Sequence, residues 1–421
     1  MSEPANMTIP TKHEESQRPT FAVRNGEGSF AVLSFPIAYL YIWGFWNGRS
    51  ITSSIVIVAV FTVLFLAAGE IWNRHRQASA ESRIWLGGTV LLLVAIVFAP
   101  GRVWEGREFL FLHAFAIYWL MARSGLLARG STSCFVWYDA LNAVLLIPLR
   151  NFTLRVKILW YMLTQGTRPG KNAAWAICAA VLGIGLFAYV MIQLSDADAG
   201  FARVLGQIFA GLTVNGMKPF LYRLVVSIPV GAYLTGMLLG MVRAKRNEFA
   251  DEADSIDAGM KKLRKVPVAV WTAIIAVFCV LYGVFFAVQG SYLFGALAGR
   301  LPAEFTVAQY ARQGFFELCR VMAVNFSLLW LTTHSTNRTL SRTALTILLG
   351  ESILLGVTAM SKLYMYIDTF GFTPLRLQSS WLVLVLLAGC VCAIVSVWTR
   401  KKTFRVWAIF SAAALLLTCF Y

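Results

Sequence analysis

The chain has 421 residues, of which 58% are hydrophobic and only 14% are charged, and its mean hydropathy is +0.67. Soluble globular domains have about 45–50% apolar and about 25% charged residues, so this composition excludes that class and predicts a protein surrounded by membrane lipids. The formal net charge of +17 requires no nucleic acid as a partner, because basic residues between apolar runs set membrane orientation and attract anionic lipid.

The first 29 residues are polar, mixed in charge and interrupted by Pro4, Pro10 and Pro19. They lack the basic segment, short apolar core and small-residue cleavage site of a signal peptide, so the sequence predicts a flexible cytoplasmic tail, 1–29, that stays on the protein. The remainder, 30–421, is predicted to be a single transmembrane helical domain. Nearly every apolar run in it has around 20 residues, the length at which a helix crosses about 30 Å of hydrocarbon.

About eleven such runs predict an all-α, polytopic integral membrane helix bundle, with the N-terminus inside and the C-terminus outside. The predicted spans are 30–46, 51–72, 84–99, 109–122, 173–194, 219–242, 266–289, 313–331, 343–364, 377–398 and 404–420.

The distribution of Lys and Arg supports this order of spans, because short cytoplasmic loops are enriched in both residues. With the N-terminus inside, the inside segments hold 26 of the 37 basic residues and the outside loops hold 9. The two long cytoplasmic loops, 123–172 and 243–265, carry seven each and are candidate docking sites for a protein partner. The acidic centre of the second loop is typical of a solvated connection.

Residues 139–149 are apolar but too short to cross the membrane. Pro148 and the basic residues that follow it, Arg150, Arg155 and Lys157, favour an interfacial or re-entrant helix on the inner face over a span. If this stretch did span, the charge bias downstream of it would be inverted.

Two further patterns concern packing. Apolar residues within 201–212 recur at helical spacing and predict an amphipathic helix lying flat on the outer surface. Gly236 and Gly240 form a GxxxG pattern in the sixth span, which lets another helix approach closely. Packing within the chain is favoured for this pattern over a dimer face.

Motifs of soluble enzymes are missing from the sequence. It contains no Walker loop, GxGxxG turn, GxSxG elbow or CxxC pair, and its four histidines form no HxxxH or HExxH pair. The seven cysteines lie mostly in apolar runs without zinc-site spacing. We therefore predict no metal site, no cofactor and no catalytic residue, and an enzyme is the less favoured class.

The remaining candidates for chemistry are ionisable residues in or beside the spans, which cost about 2.5–3.5 kcal/mol each at a helix centre unless they are paired or hydrated. Glu317 and Arg320 lie three residues apart on one helical face, and Glu351 lies at mid-depth of the next span. The short connection between these two spans predicts an antiparallel pair, with Arg376 and Asp368 folding back toward Arg312, Glu317 or Arg320, and Arg376 aimed at Glu317 in particular. The candidate ligand-binding residues are Tyr310, Arg312, Glu317, Arg320, Glu351, Lys362, Tyr366, Asp368 and Arg376.

Two segments of this region, within 305–378, carry a recognisable pattern. Its first part is matched by Tyr310, Ala311, Arg312, Gly314, Phe315 and Glu317, and its second by Tyr366, Asp368, Phe370, Gly371, Thr373 and Arg376. With these residues the C-terminal third resembles a bacterial family of polytopic membrane proteins catalogued as a domain of unknown function, the DUF4153/DUF4173 group. Lys362 and Phe370 depart from the pattern, where arginine and tyrosine are expected. The resemblance implies a multi-pass protein of the bacterial cytoplasmic (inner) membrane and supplies no activity.

Three function classes remain open. Transport, or handling of a lipid or other anionic ligand through an outward-facing polar cluster, suits charged residues beside a mid-membrane Glu351. A non-catalytic accessory or sensory membrane subunit is equally compatible with the pattern. A membrane-embedded transferase using Glu317 or Asp368 as a base is third, because neither a paired-carboxylate nor a metal motif supports it.

The charge bias makes a prediction about topology. A reporter that is active only outside the cytoplasm should be active when fused after Tyr421 and inactive when inserted in 243–265, because strongly basic loops stay inside. Reporter activity in intact cells measures this, with a cytoplasm-specific reporter as the reciprocal control. Activity of the same reporter at both positions would contradict the predicted order of spans.

Overall fold

The computed structural model places helices along most of the chain. It describes residues 21–46, 51–99, 103–164, 214–262, 264–295, 306, 315–335 and 342–421, with scattered residues between 183 and 204. This described part forms helices and no strand, which confirms the all-α prediction. The apolar composition explains the outcome, because a helix satisfies its backbone N–H and C=O groups internally where no water can bond them.

The helices are numbered in chain order. They are α1 (Glu27–Trp46), α2 (Ile51–Trp72), α3 (Ala80–Phe98), α4 (Glu108–Arg123), α5 (Val136–Leu141), a π-helical segment (Asn142–Leu146), α6 (Ile147–Arg150), α7 (Leu154–Leu163), α8 (Val214–Arg243), α9 (Arg246–Lys262), α10 (Val268–Gly295), α11 (Phe315–Ser335), α12 (Arg342–Phe370), α13 (Pro374–Thr399) and α14 (Phe404–Cys419).

Eight of the described helices are long and apolar enough to cross a membrane, namely α1, α2, α3, α8, α10, α11, α12 and α13. The chain is therefore a polytopic helical membrane protein. The predicted spans 109–122 and 404–420 form α4 and α14, which have only 16 residues each and fall short of the usual spanning length. The predicted span 173–194 and the predicted surface helix 201–212 lie largely outside the described residues.

Two ion pairs between helix ends identify one end of the bundle. The ion pair between Glu27 and Arg243 joins the start of α1 to the end of α8, and the ion pair between Glu81 and Arg405 joins the starts of α3 and α14. We call the end that holds both ion pairs the basic end. The end of the predicted tail also packs there, because the guanidinium carbon of Arg243 lies 4.9 Å from the ring centre of Phe21.

Two of the buried clusters lie in different halves of the chain. The first is built on α4 and α8, where Trp119, Leu120 and Leu239 are fully buried. The second lies among α11, α12 and α13 around Met322. Helix α14 connects the halves, because it packs against both α13 and α3, and at the opposite end of the bundle its Thr418 accepts a hydrogen bond from an indole in the α3–α4 connection.

The segment from α5 to α7 is a helical hairpin that enters the bundle from the basic end and returns to it. At its start, Tyr138 donates a 2.6 Å hydrogen bond to Glu252 of α9. Its turn, near Asn151, packs on α8 inside the bundle, and at its end Met162 packs on Gly28, beside the Glu27–Arg243 ion pair. This arrangement fits the re-entrant alternative for 139–149.

The GxxxG pattern of α8 makes room for this hairpin. A Cβ at Gly236 would lie 2.8 Å from the carbonyl oxygen of Pro148, and one at Gly240 would lie 2.7 Å from the side-chain nitrogen of Asn151. Both distances are too short for a real side chain, so the hairpin can reach α8 only because glycines stand there. Packing within the chain, the favoured prediction for this pattern, is confirmed.

Helix α9 lies across the basic end and is fixed to the hairpin. Arg129 forms ion pairs with Asp254, at 2.6 Å, and with Asp257. The buried Ala253 of α9 packs against Phe135, just before α5. The acidic centre of 243–265 thus forms a helix that docks through one small apolar face, while most of its acidic side chains are exposed, as its composition predicts.

Buried Asp139 secures the loop between α4 and α5. Its Oδ1 accepts a 2.9 Å hydrogen bond from the backbone N–H of Ala128, while its Oδ2 has no partner. Burial raises the pKa of this carboxyl to about 6, because desolvation penalises the charged form more than the Ala128 bond stabilises it.

The glycine contact can be tested by a single methyl group. Gly236→Ala should lower the free energy of unfolding by about 1–3 kcal/mol, because its Cβ collides with backbone rather than with a flexible side chain. Gly350→Ala is the matched control, since a Cβ at that helical position meets nothing within 4 Å. The control should be neutral or stabilising by about 0.5–1 kcal/mol. Thermal unfolding in detergent measures both, and equal behaviour of the two variants would refute the contact.

Candidate functional site

The predicted outward-facing cluster is assembled only in part. The Glu317 and Arg320 side chains form an ion pair at 3.4 Å, but they are 60% and 75% exposed, so the pair is a surface feature rather than a buried one. Lys362 is nearly buried and lies within electrostatic reach of Glu317. Tyr310 and Arg312 lie outside the described residues.

Arg376 does not reach Glu317, and that expectation is wrong. Its guanidinium lies 4.2 Å from the ring centre of Tyr366 and donates a hydrogen bond to the carbonyl oxygen of Gly371. Gly371 has a φ of +78°, and α13 begins three residues later, so the tight turn leaves Arg376 beside the carbonyl end of α12, where a cation is favoured. Asp368 is exposed and forms no ion pair with any described residue.

Glu351 lies beside a set of buried polar side chains that the sequence had not singled out. Its carboxyl group interacts with the thiol of Cys279, while its Oε2 is buried without a hydrogen-bond partner. On the neighbouring helices Tyr282 donates to Asn325 at 2.7 Å, and Asn325 donates to Ser352 at 2.8 Å. The sequence did contain a signal for this set, because Asn325 places a polar amide at the centre of an apolar helix. The chain of three satisfied groups ties α10, α11 and α12 together.

The most unusual charge in the described structure is Arg155, near the turn of the hairpin. Its side chain is 2% exposed and lies between α1 and α8. It contacts Phe35 and Gly231, which lie close to the middle of the candidate spans Glu27–Phe45 and Tyr222–Arg243. The guanidinium therefore lies beside the midpoints of two candidate spans, although α7 itself is too short to cross a membrane.

The contacts of Arg155 fix its orientation. The guanidinium carbon lies 3.3 Å from the ring centre of Phe35, a close cation–π contact, and Nη1 donates a 3.1 Å hydrogen bond to the carbonyl oxygen of Ile228. Nη1 also fills the space over Gly231, where a Cβ would lie 2.5 Å away. A guanidinium stays protonated in proteins, so Arg155 is charged.

Two donors of Arg155 have no partner. Nε and Nη2 are both buried, and neither makes a hydrogen bond within the structure. These two N–H groups form one edge of the guanidinium plane, the edge that holds two oxygens of a carboxylate or phosphate in a bidentate pair. The site thus offers an anion a positive charge and two parallel donors in a water-poor environment.

From the sequence, Arg155 counts only as one of seven basic residues in an inside loop. Its position depends on the depth that the hairpin reaches, and that depth depends on the glycines of α8, about eighty residues further along the chain. Hydropathy along a single segment carries no such information. The pairing of a short apolar stretch with a following arginine was the partial signal.

Comparison with known proteins adds a family. A family described as a domain of unknown function, DUF4153, matches residues 86–421, which include the hairpin, α8 and all later helices. No curated protein and no solved structure matches the chain significantly.

The exposed ion pair between Glu317 and Arg320 should contribute little to stability, which can be tested. In a double-mutant cycle of Glu317→Ala and Arg320→Ala, the coupling energy should stay below about 1 kcal/mol, because both side chains are more than half exposed. Thermal stability of the four proteins in detergent gives this energy. A coupling of several kcal/mol would mean that the pair is buried in the native membrane protein and that the predicted cluster is tighter than described.

Proposed function

The chain belongs to the DUF4153 family, and from that premise we propose that it is a bacterial inner-membrane protein that binds an anionic ligand at Arg155. The ligand carries a carboxylate or phosphate group, which pairs with Nε and Nη2. Handling of this ligand, by transport across the membrane or by binding of a lipid headgroup, is the proposed function. The observation that supports this proposal most directly is the buried guanidinium of Arg155, whose Nε and Nη2 donors have no partner in the described structure.

Electrostatics support this proposal. A charged side chain at mid-membrane depth costs several kcal/mol unless an opposite charge or water accompanies it. The cation–π contact with Phe35 and the bond to Ile228 offset part of that cost, but no described carboxylate contacts Arg155. A buried charge with two donors left open is better explained by an anion that arrives from outside than by a structural ion pair.

The re-entrant hairpin supports transport in particular. Backbone that enters the membrane without crossing it is tolerated where protein surrounds it or where it lines a pathway, and interrupted helices carry substrate sites in many transporters. Here the hairpin contains a π-helical segment, a form of helix often associated with functional sites. The anion site proposed from the sequence is thus moved from the outward-facing cluster to the turn of the hairpin.

Orientation follows from the charge bias. We propose that the basic end faces the cytoplasm, because the connections there carry most Lys and Arg residues of the chain. The hairpin then opens toward the cytoplasm.

Anion binding at Arg155 can be tested with purified protein in detergent. Inorganic phosphate, succinate and phosphatidylglycerol serve as probes, and at least one of them should raise the melting temperature of the wild type. Arg155→Lys keeps the charge but loses the bidentate edge, so with at least one of the probes it should abolish most of that shift. Arg150→Gln is the matched control, since Arg150 is an exposed cation of the same hairpin, and it should retain the shift.

Transport is tested with the stabilising probe. In proteoliposomes, the wild type should take up a soluble probe, or move the lipid probe from one leaflet to the other. The transport rate should saturate with probe concentration, and Arg155→Lys should reduce that rate at least tenfold. Equal melting shifts in wild type and Arg155→Lys with every one of the three probes would overturn binding at Arg155. Binding without movement would favour the accessory or sensory alternative over transport.

A further inference from the structure

A second positively charged site lies at the basic end, apart from Arg155. A cavity of about 390 Å³ opens between the α2–α3 connection, the end of α4 with its following loop, and the start of α9. Its lining includes Arg76, Arg123, Arg246, Ser79 and Ser124. The volume falls in the range of small-molecule sites and exceeds the space that a single inorganic anion fills.

The charge of this cavity is not balanced by its own lining. Three arginines border it, and the residues that line it include no Asp or Glu. Glu70 pairs with Arg123 at 2.8 Å and offsets one of these charges. The pKa of Arg76 is lowered, first by burial and then by repulsion from Arg24 and Arg123, which reflects the excess of positive charge.

The lining arginines differ in how firmly they are held. Arg76 donates to the carbonyl oxygens of Ser124 and Val242, and Arg123 donates to Glu70 and to the carbonyl oxygen of Arg76. Each guanidinium has five N–H groups, so most donors of these two arginines remain open. Arg246 is exposed at the start of α9 and has no hydrogen bond with any described residue.

Ser124 provides an independent indication of a ligand. The residue is only 1% exposed, it lines the cavity, and its hydroxyl group has no hydrogen-bond partner. A buried hydroxyl without a partner is uncommon, since nearly all buried polar groups are satisfied by protein or water. A ligand oxygen in the cavity would satisfy it.

We propose that this cavity binds a phosphate group, either of a small phosphorylated molecule or of a phospholipid headgroup. Three guanidinium groups and one hydroxyl supply charge-assisted and neutral donors of the kind that recognise phosphate oxygens. The site is independent of Arg155, because it lies at the basic end rather than at mid-depth and shares no lining residue with that site. Helix α9, through Arg246, completes it.

Binding is measured by calorimetry on the full chain in detergent, with glycerol 3-phosphate as the soluble probe. Arg246→Gln should weaken binding at least tenfold through loss of a charged donor, and Ser124→Ala should weaken it about twofold to tenfold through loss of one neutral bond. Lys245→Gln is the matched control, since Lys245 is exposed next to Arg246 but does not line the cavity, and it should bind like wild type. Arg155→Lys should also bind like wild type, so failure here and failure at Arg155 are distinguishable.

The two sources of phosphate are separated by competition. Nanodiscs of phosphatidylglycerol that displace the soluble probe would assign the site to a lipid headgroup, whereas retention of the probe would assign it to a soluble phosphorylated molecule. Either result supports a phosphate site. The proposal is overturned if Arg246→Gln and Ser124→Ala both bind the probe like wild type, or if neither glycerol 3-phosphate nor the lipid binds the wild type.

Discussion

A chain segment that enters the membrane without crossing it must satisfy its backbone without water, and this constraint governs the N-terminal half of the protein. At the turn of the hairpin the backbone bonds internally, with the N–H of Asn151 donating to Ile147 and that of Leu154 to Asn151. Gly236 and Gly240 of α8 allow close contact on one side of this turn, while Leu149 and Phe152 beside it are exposed. The position of Arg155 depends on this contact.

The two halves bury polar groups in different ways. In the C-terminal half Tyr282, Asn325 and Ser352 satisfy one another, and such a chain of bonds fixes the relative register of three helices without demanding a ligand. In the N-terminal half, by contrast, Arg155 and Ser124 keep donors that nothing in the described structure bonds. Satisfied groups are typical of structural roles, while unsatisfied ones direct attention to binding. The proposed binding features therefore lie in the N-terminal half, which the sequence had marked less strongly, although the Oε2 of Glu351 in the C-terminal half also lacks a hydrogen-bond partner in the described structure.

Much of the fold was predictable because hydropathy is a local property. Apolar runs located the long helices, and shortness together with Pro148 marked 139–149 as non-spanning. The candidate site was less predictable, since the depth of Arg155 and the turn that holds Arg376 against Tyr366 depend on contacts between distant or tightly turned segments. Charged residues near span ends form a cluster only when the intervening backbone lets their side chains converge. Arg376 fails that condition because its own turn provides a nearer carbonyl oxygen.

The dependence of the hairpin on α8 also sets an order of events during synthesis. Pro148 leaves the ribosome nearly ninety residues before Gly236, its packing partner. At about 5–20 residues per second, that interval is on the order of ten seconds, during which the segment can contact α1 and α4 but not α8. The contact between the hairpin and the glycines of α8 therefore forms late, after α8 itself has been synthesised.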